Sequence, residues 1–493
     1  ALAELDKAVL AAPREAEARI CRAECLRRQG RLSEAEADLE MAVGLAPDNP
    51  EPCVIMAQIH AAGSRFASAL AYLERAELID SEWHRVHLIR GDVLLASGKD
   101  EAAAESYRRA VGLAPQKVEP MTALASLLME RGQAAEAARL ADSALALAPN
   151  SSDARLIKAL HHSGLGQLDA ALAELNRAAR INPAHARVRL ERGMVLLAMN
   201  RLDEAWQDFL WVSGKEPDNV QALCGLGESA WRSGRIRQAI DAYTRVIDMG
   251  GAAPDVYQSR AEALSLAGCR AEAVADCSKA LELDPLNSDL HAMRGSLNLE
   301  LERYDEAARD LGRAIALDGD LVEAIVSRGE LRRRQGDAAG AIADFAAAVR
   351  LSPDDPDLLV RWLRSIGDAG DCMTALRLLE RELKRLPNIS KLAMLKGDLL
   401  AEAMRPEAAE ACYRELIRQI PDEIEPHLRL VEFYENRANH VSALEELDQA
   451  VRIDPYDPFP RLMRAALLER LGRSSEAELE RAASSRLRRM RGI

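Results

Sequence analysis

The sequence predicts an all-α fold, an α-solenoid, and three regularities predict it: a 34-residue period without a gap, an unbroken alanine column, and glycine and proline punctuation at fixed phase. The 493 residues hold fourteen and a half such units. One long array is therefore expected instead of several globular domains.

Proline recurs at Pro13, Pro47, Pro115, Pro149, Pro183, Pro217, Pro285, Pro353, Pro387, Pro421 and Pro455, with Ser81, Gly251 and Gly319 as the exceptions. Twelve residues before this column stands an alanine in every frame, from Ala1 and Ala35 to Ala443 and Ala477. A position that admits only a methyl group marks a close crossing of two helices. Its expected counterpart is a second small column, Gly or Ala in twelve of fourteen frames, as at Gly91, Gly193, Gly227, Gly295, Gly329 and Gly397.

Between the two columns lies a glycine in nine frames, among them Gly30, Gly98 and Gly132. A left-handed residue there would end a first helix. A second helix follows, with an apolar stripe at helical spacing such as Ala273, Val274, Cys277, Ala280, Leu281 and Leu283. Helices this short are marginal alone, so stacking on neighbours must stabilise them. Residues 1–15 read as the second helix of an incomplete repeat. Residues 16–493 read as fourteen repeats starting at 16, 50, 84, 118, 152, 186, 220, 254, 288, 322, 356, 390, 424 and 458.

Composition narrows the function. Charged residues at 29% and hydrophobic ones at 48% exclude a disordered chain, and 4% aromatics imply a core of small aliphatic side chains. A net charge of −14 argues against nucleic acid, whose binding needs clustered Lys and Arg. No apolar run is long enough for a membrane span, and no signal peptide is visible. The eight cysteines lack paired spacing and read as free core thiols in a reducing, cytoplasmic setting. A periplasmic or envelope location is the alternative if a signal lies upstream.

No catalytic chemistry is legible. His84 and His87, His161 and His162, and Cys21 with Cys25 all lack further ligands at metal spacing. No glycine loop sits between a strand and a helix, and no nucleophile has a base beside it. No enzyme activity, cofactor or metal is expected.

The residue before the second small column is basic in nine frames, and in seven of these an acid stands sixteen residues later: Arg22 with Asp38, Lys158 with Glu174, Arg192 with Asp208, Arg260 with Asp276, Arg294 with Asp310, Arg328 with Asp344, and Arg464 with Glu480. Where the first position is apolar (Met56, Leu124, Leu226, Trp362, Leu430), only Glu446 puts an acid opposite. Such matched exchange predicts structural ion pairs between the two helices of one repeat, each contributing roughly 0.2 to 1 kcal/mol if exposed.

Small residue, turn Gly, Ala and Pro at this spacing resemble the tetratricopeptide repeat (TPR) family across the whole chain. The resemblance implies a right-handed superhelix of helix pairs with a concave groove lined by positions 2, 5, 9, 12 and 13 of each unit. The chain departs from the family in carrying Cys53, His87, Met121, Arg155, Leu223 and Ile325 where Trp or Tyr is usual. It has no Lys at position 5 and no Asn at position 6, so neither the chaperone-tail clamp nor the Asn ladder of the O-linked N-acetylglucosamine transferases is expected.

Mapped onto these positions, the groove has an aliphatic floor (Val54, Leu88, Leu156, Leu190, Val326, Leu428) and acidic sides. The densest part comprises Glu228, Trp231, Asp255, Glu262, Asp289, Glu323 and Glu330. The partner expected there is a protein or peptide segment, basic with apolar anchors, held by a non-catalytic scaffold. The alternative is a regulatory or substrate-presenting arm of a larger enzyme or envelope export machine whose active part lies upstream. A stretch from 356 to 440, with Leu363 and Val431 in the small column and Pro406 near a helix start, is expected to open the packing.

The ends differ. Leu2, Leu5, Ala8 and Val9 reproduce the apolar face of a second helix whose first is absent. Arg481, Ser484 and Ser485 occupy positions that are apolar earlier, and Arg486, Arg488, Arg489 and Arg491 follow, as expected of a polar terminal cap. The expectation is a C-terminal portion, or processed form, of a longer protein.

Overall fold

The computed structural model describes residues 2–250 and 253–491, the side chains of 490 and 491 excepted. Ala1 of the alanine column, Gly251 of the proline column and the Arg491 side chain lie outside the described residues. Among the described residues are twenty-nine α-helices and no strand. They fall into two compact units, Ala1–Gly251 and Ala252–Ile493. Below, a repeat is named by its first residue, and its helices are A and B.

Every repeat leaves helix A through one left-handed residue, its fifteenth. The nine glycines of that column have φ between 72° and 90°. Ser64, Asn200, Glu302, Met404 and Ala438 hold the same conformation with φ from 56° to 60°. The next N–H then returns to a carbonyl in the last turn of helix A, as from Lys99 to Leu94 at 2.9 Å. The turn is thus set by the stacking of the two helices, and five repeats accept a side chain in a conformation that favours glycine.

Packing between helices A and B follows from volume. All fourteen described members of the alanine column are fully buried. The second small column faces a different partner from the one expected: the side chain sixteen residues later in helix B of the same repeat. A Cβ on Gly193 would lie 2.7 Å from Cε1 of Phe209, and one on Gly91 would lie 2.3 Å from Cε1 of Tyr107. Gly227, Gly329 and Gly397 similarly face Tyr243, Phe345 and Tyr413, while Gly295 faces Leu311. Where the small residue is alanine, the facing position is no longer a ring: it is leucine at Leu39, Leu73 and Leu175, and cysteine at Cys277. At five of the six glycines an aromatic ring occupies the space of the Cβ, and at Gly295 the Leu311 side chain does.

Repeats 356 to 424 do not open. Leu363 and Val431 are fully buried, as are Leu379 and Leu447 sixteen residues on, and one hydrophobic cluster runs from Leu359 to Leu467. Pro406 begins the helix Pro406–Gln419, where a missing N–H removes no helical bond.

The acids of helix B are buried. Asp208, Asp276, Asp310 and Asp344 are 2%, 4%, 7% and 3% exposed. Arg192 grips Asp208 through Nε and Nη2, both at 2.7 Å, and Arg260 grips Asp276 in the same way at 2.7 Å. Arg294 binds Asp310 at 2.8 and 2.7 Å, and Arg328 binds Asp344 at 3.0 and 2.7 Å. Arg22 with Asp38 and Arg464 with Glu480 are also in contact. The pairing of Lys158 with Glu174 is not found: Arg155 takes Glu174 at 2.7 Å, and Lys158 turns to Asp142 at 2.8 Å. Arg177, a turn later on the same helix, holds the other oxygen of Glu174 at 2.7 Å, so two guanidinium groups fill the carboxylate and the ammonium pairs elsewhere.

The same guanidinium often reaches the preceding repeat. Arg192 Nη1 donates to Asn176, and Arg294 Nη1 donates to Ser278, both at 3.1 Å. Arg464 meets Asp448 at 2.9 Å. Each such arginine fastens helix A to its own helix B and to the helix B before it, which is the nearest-neighbour coupling that stabilises a repeat array.

At the C-terminal end, Ser484 is fully buried and its hydroxyl donates to the Pro458 carbonyl at 3.0 Å. It therefore satisfies a backbone acceptor inside the last repeat instead of facing outward, while Ser485 is exposed and Arg481 pairs with Glu469. Of the cysteines, Cys53 and Cys277 are buried and Cys21 is exposed. Burial pushes the Cys277 thiol up to about 12.

Candidate partner-binding surface

Glu228 and Trp231 stand on the helix Val220–Arg232 of the first unit. Glu228 lies 3.9 Å from Arg232, a turn later on the same helix. Trp231 is half-buried, and its indole N–H is shielded from solvent without a hydrogen-bond partner among the described residues. The other five expected residues belong to the second unit. Asp255, Asp289 and Glu323 are exposed in the first turns of the helices Pro254–Leu266, Ser288–Glu300 and Val322–Arg334, where an acid complements the helix dipole. Glu262 accepts a hydrogen bond from Gln258 at 3.2 Å.

Glu330 is not available as the sequence suggested. Arg333 binds it at 2.9 and 2.7 Å and Arg334 at 3.1 Å, and these hydrogen bonds hold its carboxyl below the usual glutamate value. Bases three and four residues later lie on the same helical face, so they neutralise the acid before any partner can. Glu24 is held by Arg27 and Arg28 in the same manner. Asp92 and Asp398 accept from the hydroxyls of Tyr107 and Tyr413.

The Glu330 shift carries a prediction. A depressed folded-state pKa contributes stability that is present above the unfolded value and lost as pH falls through the folded one. Glu330→Gln should therefore destabilise the chain at pH 7 by no more than the roughly 1 kcal/mol of surface pairs, seen as a small fall in melting temperature. The difference should begin to shrink as pH falls below the ordinary value of 4.5 and vanish only below the depressed folded-state value, measured as melting temperature against pH. A gap between the proteins that persists in acid would contradict it.

The aliphatic floor is less accessible than expected. Val54, Leu156 and Leu190 are buried, and Leu88, Val326 and Leu428 are only partly exposed. At position 5 half of these side chains pack inward as core, which leaves a partner only part of Leu88, Val326 and Leu428 to touch.

Sequence reasoning missed a set of bases at position 4. Arg19, Arg155, Arg189, His291 and Arg461 each contact the helix B acid nineteen residues later and the carbonyl of the proline six residues earlier. They tie the inter-repeat turn to the ion pairs. The signal was present: these bases stand where Trp or Tyr was noted as absent, opposite an acid in every one of the five frames.

A profile described as tetratricopeptide repeat matches residues 1–50, 56–118, 122–186, 158–210, 190–254, 224–288, 292–356 and 364–424. The chain belongs to the tetratricopeptide repeat family. Among relatives of this TPR chain, human tetratricopeptide repeat protein 13 is 31% identical over 180 residues, covering 36% of this chain and 20% of that protein. Human DnaJ homolog subfamily C member 7 is 24% identical over 277 residues, covering 50% of this chain and 56% of that protein. The TPR chain thus spans less than two thirds of each of these relatives. A solved tetratricopeptide repeat protein from Parabacteroides merdae is 21% identical, with 48% of this chain and 94% of that one covered and a TM-score of 0.35. No helix among the described residues of the TPR chain is long and apolar enough to cross a membrane.

Proposed function

We propose that this TPR protein is a non-catalytic scaffold whose second unit holds a basic protein segment on Asp255, Glu262, Asp289 and Glu323. One observation carries the reading: among the described residues none of these four acids has an ion-pair partner, and three of them, Asp255, Asp289 and Glu323, stand at position 2 of consecutive repeats, a run not matched elsewhere, since Glu51, Asp153, Asp357 and Glu425 at that position pair with Arg85, His185, Lys391 and Arg429. The A helices of three successive repeats thus present carboxylates without an ion-pair partner among the described residues, a surface complementary to Lys or Arg spaced along an extended or helical partner. In the first unit, Glu228 and Trp231 offer an acid and a large ring on one helix, suited to a base beside an apolar side chain.

The test is the triple charge reversal Glu262→Lys, Asp289→Lys and Glu323→Lys, read by fluorescence anisotropy of a labelled twelve-residue peptide alternating Lys and Leu. The reading expects binding to weaken at least tenfold and to fall with salt in the wild type. Equal affinity of wild type and variant at several salt concentrations would remove it.

A further inference from the structure

The last helix, Ser474–Arg491, carries a face that the array leaves uncovered. Its principal neighbour is the helix Pro458–Arg470, and Leu479, Ala482, Arg486 and Arg489, three and four residues apart along one side, are all exposed. Leu479 is 71% exposed and stands in a column that is alanine or polar in the thirteen other repeats, from Ala37 to Glu445. Arg486, Arg488 and Arg489 have neither hydrogen bond nor ion pair among the described residues. Bases in a last turn complement the helix dipole, but the comparable run at Arg333 and Arg334 is also held by Glu330 on its own helix, whereas no acid among the described residues holds this one.

A matching anomaly of opposite sign lies on the acid-bearing repeats. The residue after the proline column is polar in ten of fourteen frames, and Leu286 is its one aliphatic side chain larger than alanine. Leu286 is 66% exposed and stands three residues before Asp289, which with Asp255 and Glu323 forms the run of acids without ion-pair partners. Each surface is thus an exposed leucine, where other repeats place a small or polar residue, beside charges uncompensated among the described residues.

We propose, on the reading of the acidic surface given above, that the two surfaces meet between copies: the last helix of one chain lies across the acid-bearing A helices of a second. The helices Ser288–Glu300 and Val322–Arg334 pack on each other, which places them about 8–10 Å apart. Leu479 precedes Arg486 by about 10.5 Å of helix, so a helix laid across the pair sets Leu479 against Leu286 and Arg486 beside Glu323 of the next repeat. The occupant is a second copy and not the same one, because the repeats starting at 356, 390 and 424 hold the last helix away from Val322–Arg334 in a stack where each helix packs on its near neighbours. Such a contact is heterologous, so copies join in rows or rings instead of closing as a symmetric pair.

The experiment is sedimentation velocity of the full chain over a range of concentrations at low and high salt. The wild type should gain mass with concentration at low salt and return to monomer at high salt. The variant Arg486→Glu/Arg488→Glu/Arg489→Glu and the Glu262→Lys, Asp289→Lys and Glu323→Lys reversal should each remain monomeric at an unchanged melting temperature. Mixed in equal amounts they should associate again, because each reversed surface then meets its complement. Leu479→Ser should weaken the wild-type association at least threefold. A wild type that stays monomeric, variants that associate as it does, or a mixture that does not recover would overturn the self-association. If that monomeric wild type still binds the Lys and Leu peptide at its acids, the acidic-surface reading survives and only the self-association falls. If it instead pellets with phosphatidylserine vesicles while the arginine variant does not, the basic face serves a membrane and the self-association falls as well.

Discussion

Arg260→Met should destabilise its repeat by about 3–5 kcal/mol, because it leaves Asp276 buried with its charge uncompensated. Asp276 is 4% exposed, and Arg260 is its sole basic partner among the described residues. In a long array the loss is local, so the measurement is amide hydrogen exchange in the helices Pro254–Leu266 and Arg270–Leu283. Protection there should fall by roughly a hundredfold or more, since each 1.4 kcal/mol is tenfold. Arg192→Met is expected to do less, because Arg189 still lies 3.3 Å from Asp208 and keeps part of the compensation. Equal losses at the two sites would show that the second base contributes nothing.

The double variant Arg260→Leu/Asp276→Ala should recover most of that loss. Removing both charges removes the desolvation penalty along with the attraction. The array already contains the experiment, since Leu124 faces Leu140 and Leu226 faces Ala242 at the equivalent positions, and both repeats are folded into their unit. If the double variant is as unstable as Arg260→Met alone, the buried pair is not the source of the effect.

The helices were legible because their determinants are local and recur. A turn glycine, a proline in the inter-repeat turn and a 3.6-residue stripe act locally, and fourteen copies average out the exceptions. The pairings over sixteen residues were legible for the same reason, being exchanges between two fixed positions. What the sequence could not show was competition. Glu174 is contested by Arg155, Lys158 and Arg177, and only geometry gives it to the two arginines. Glu330 looked like a groove acid until Arg333 and Arg334 on its own helix were seen to hold it. The stretch from 356 to 440 was expected to open for the bulk of Leu363 and Val431, yet both are fully buried, because leucines sixteen residues later pack against them as part of one core.

Gly193→Ala should be among the most damaging single-methyl changes in the chain. The added Cβ would stand 2.7 Å from Cε1 and 2.9 Å from Cζ of Phe209, closer than carbon atoms approach. The ring cannot retreat to the other side, because a Cβ at Gly225 of the next repeat would already lie 2.5 Å from its Cζ. Overpacking of this kind costs typically 1–3 kcal/mol, which outweighs the roughly 1 kcal/mol that alanine gains over glycine in a helix. Phe209→Leu alone should also destabilise, by leaving a void between the two glycines. Together the two changes should be milder than their sum, since Ala23 with Leu39, Ala57 with Leu73 and Ala159 with Leu175 are the same combination, each member at most 1% exposed. Urea midpoints of the four proteins measure the coupling. Strict additivity would mean that the ring is not what excludes a side chain at Gly193, and that the matching of glycine to aromatic along the array has some other cause.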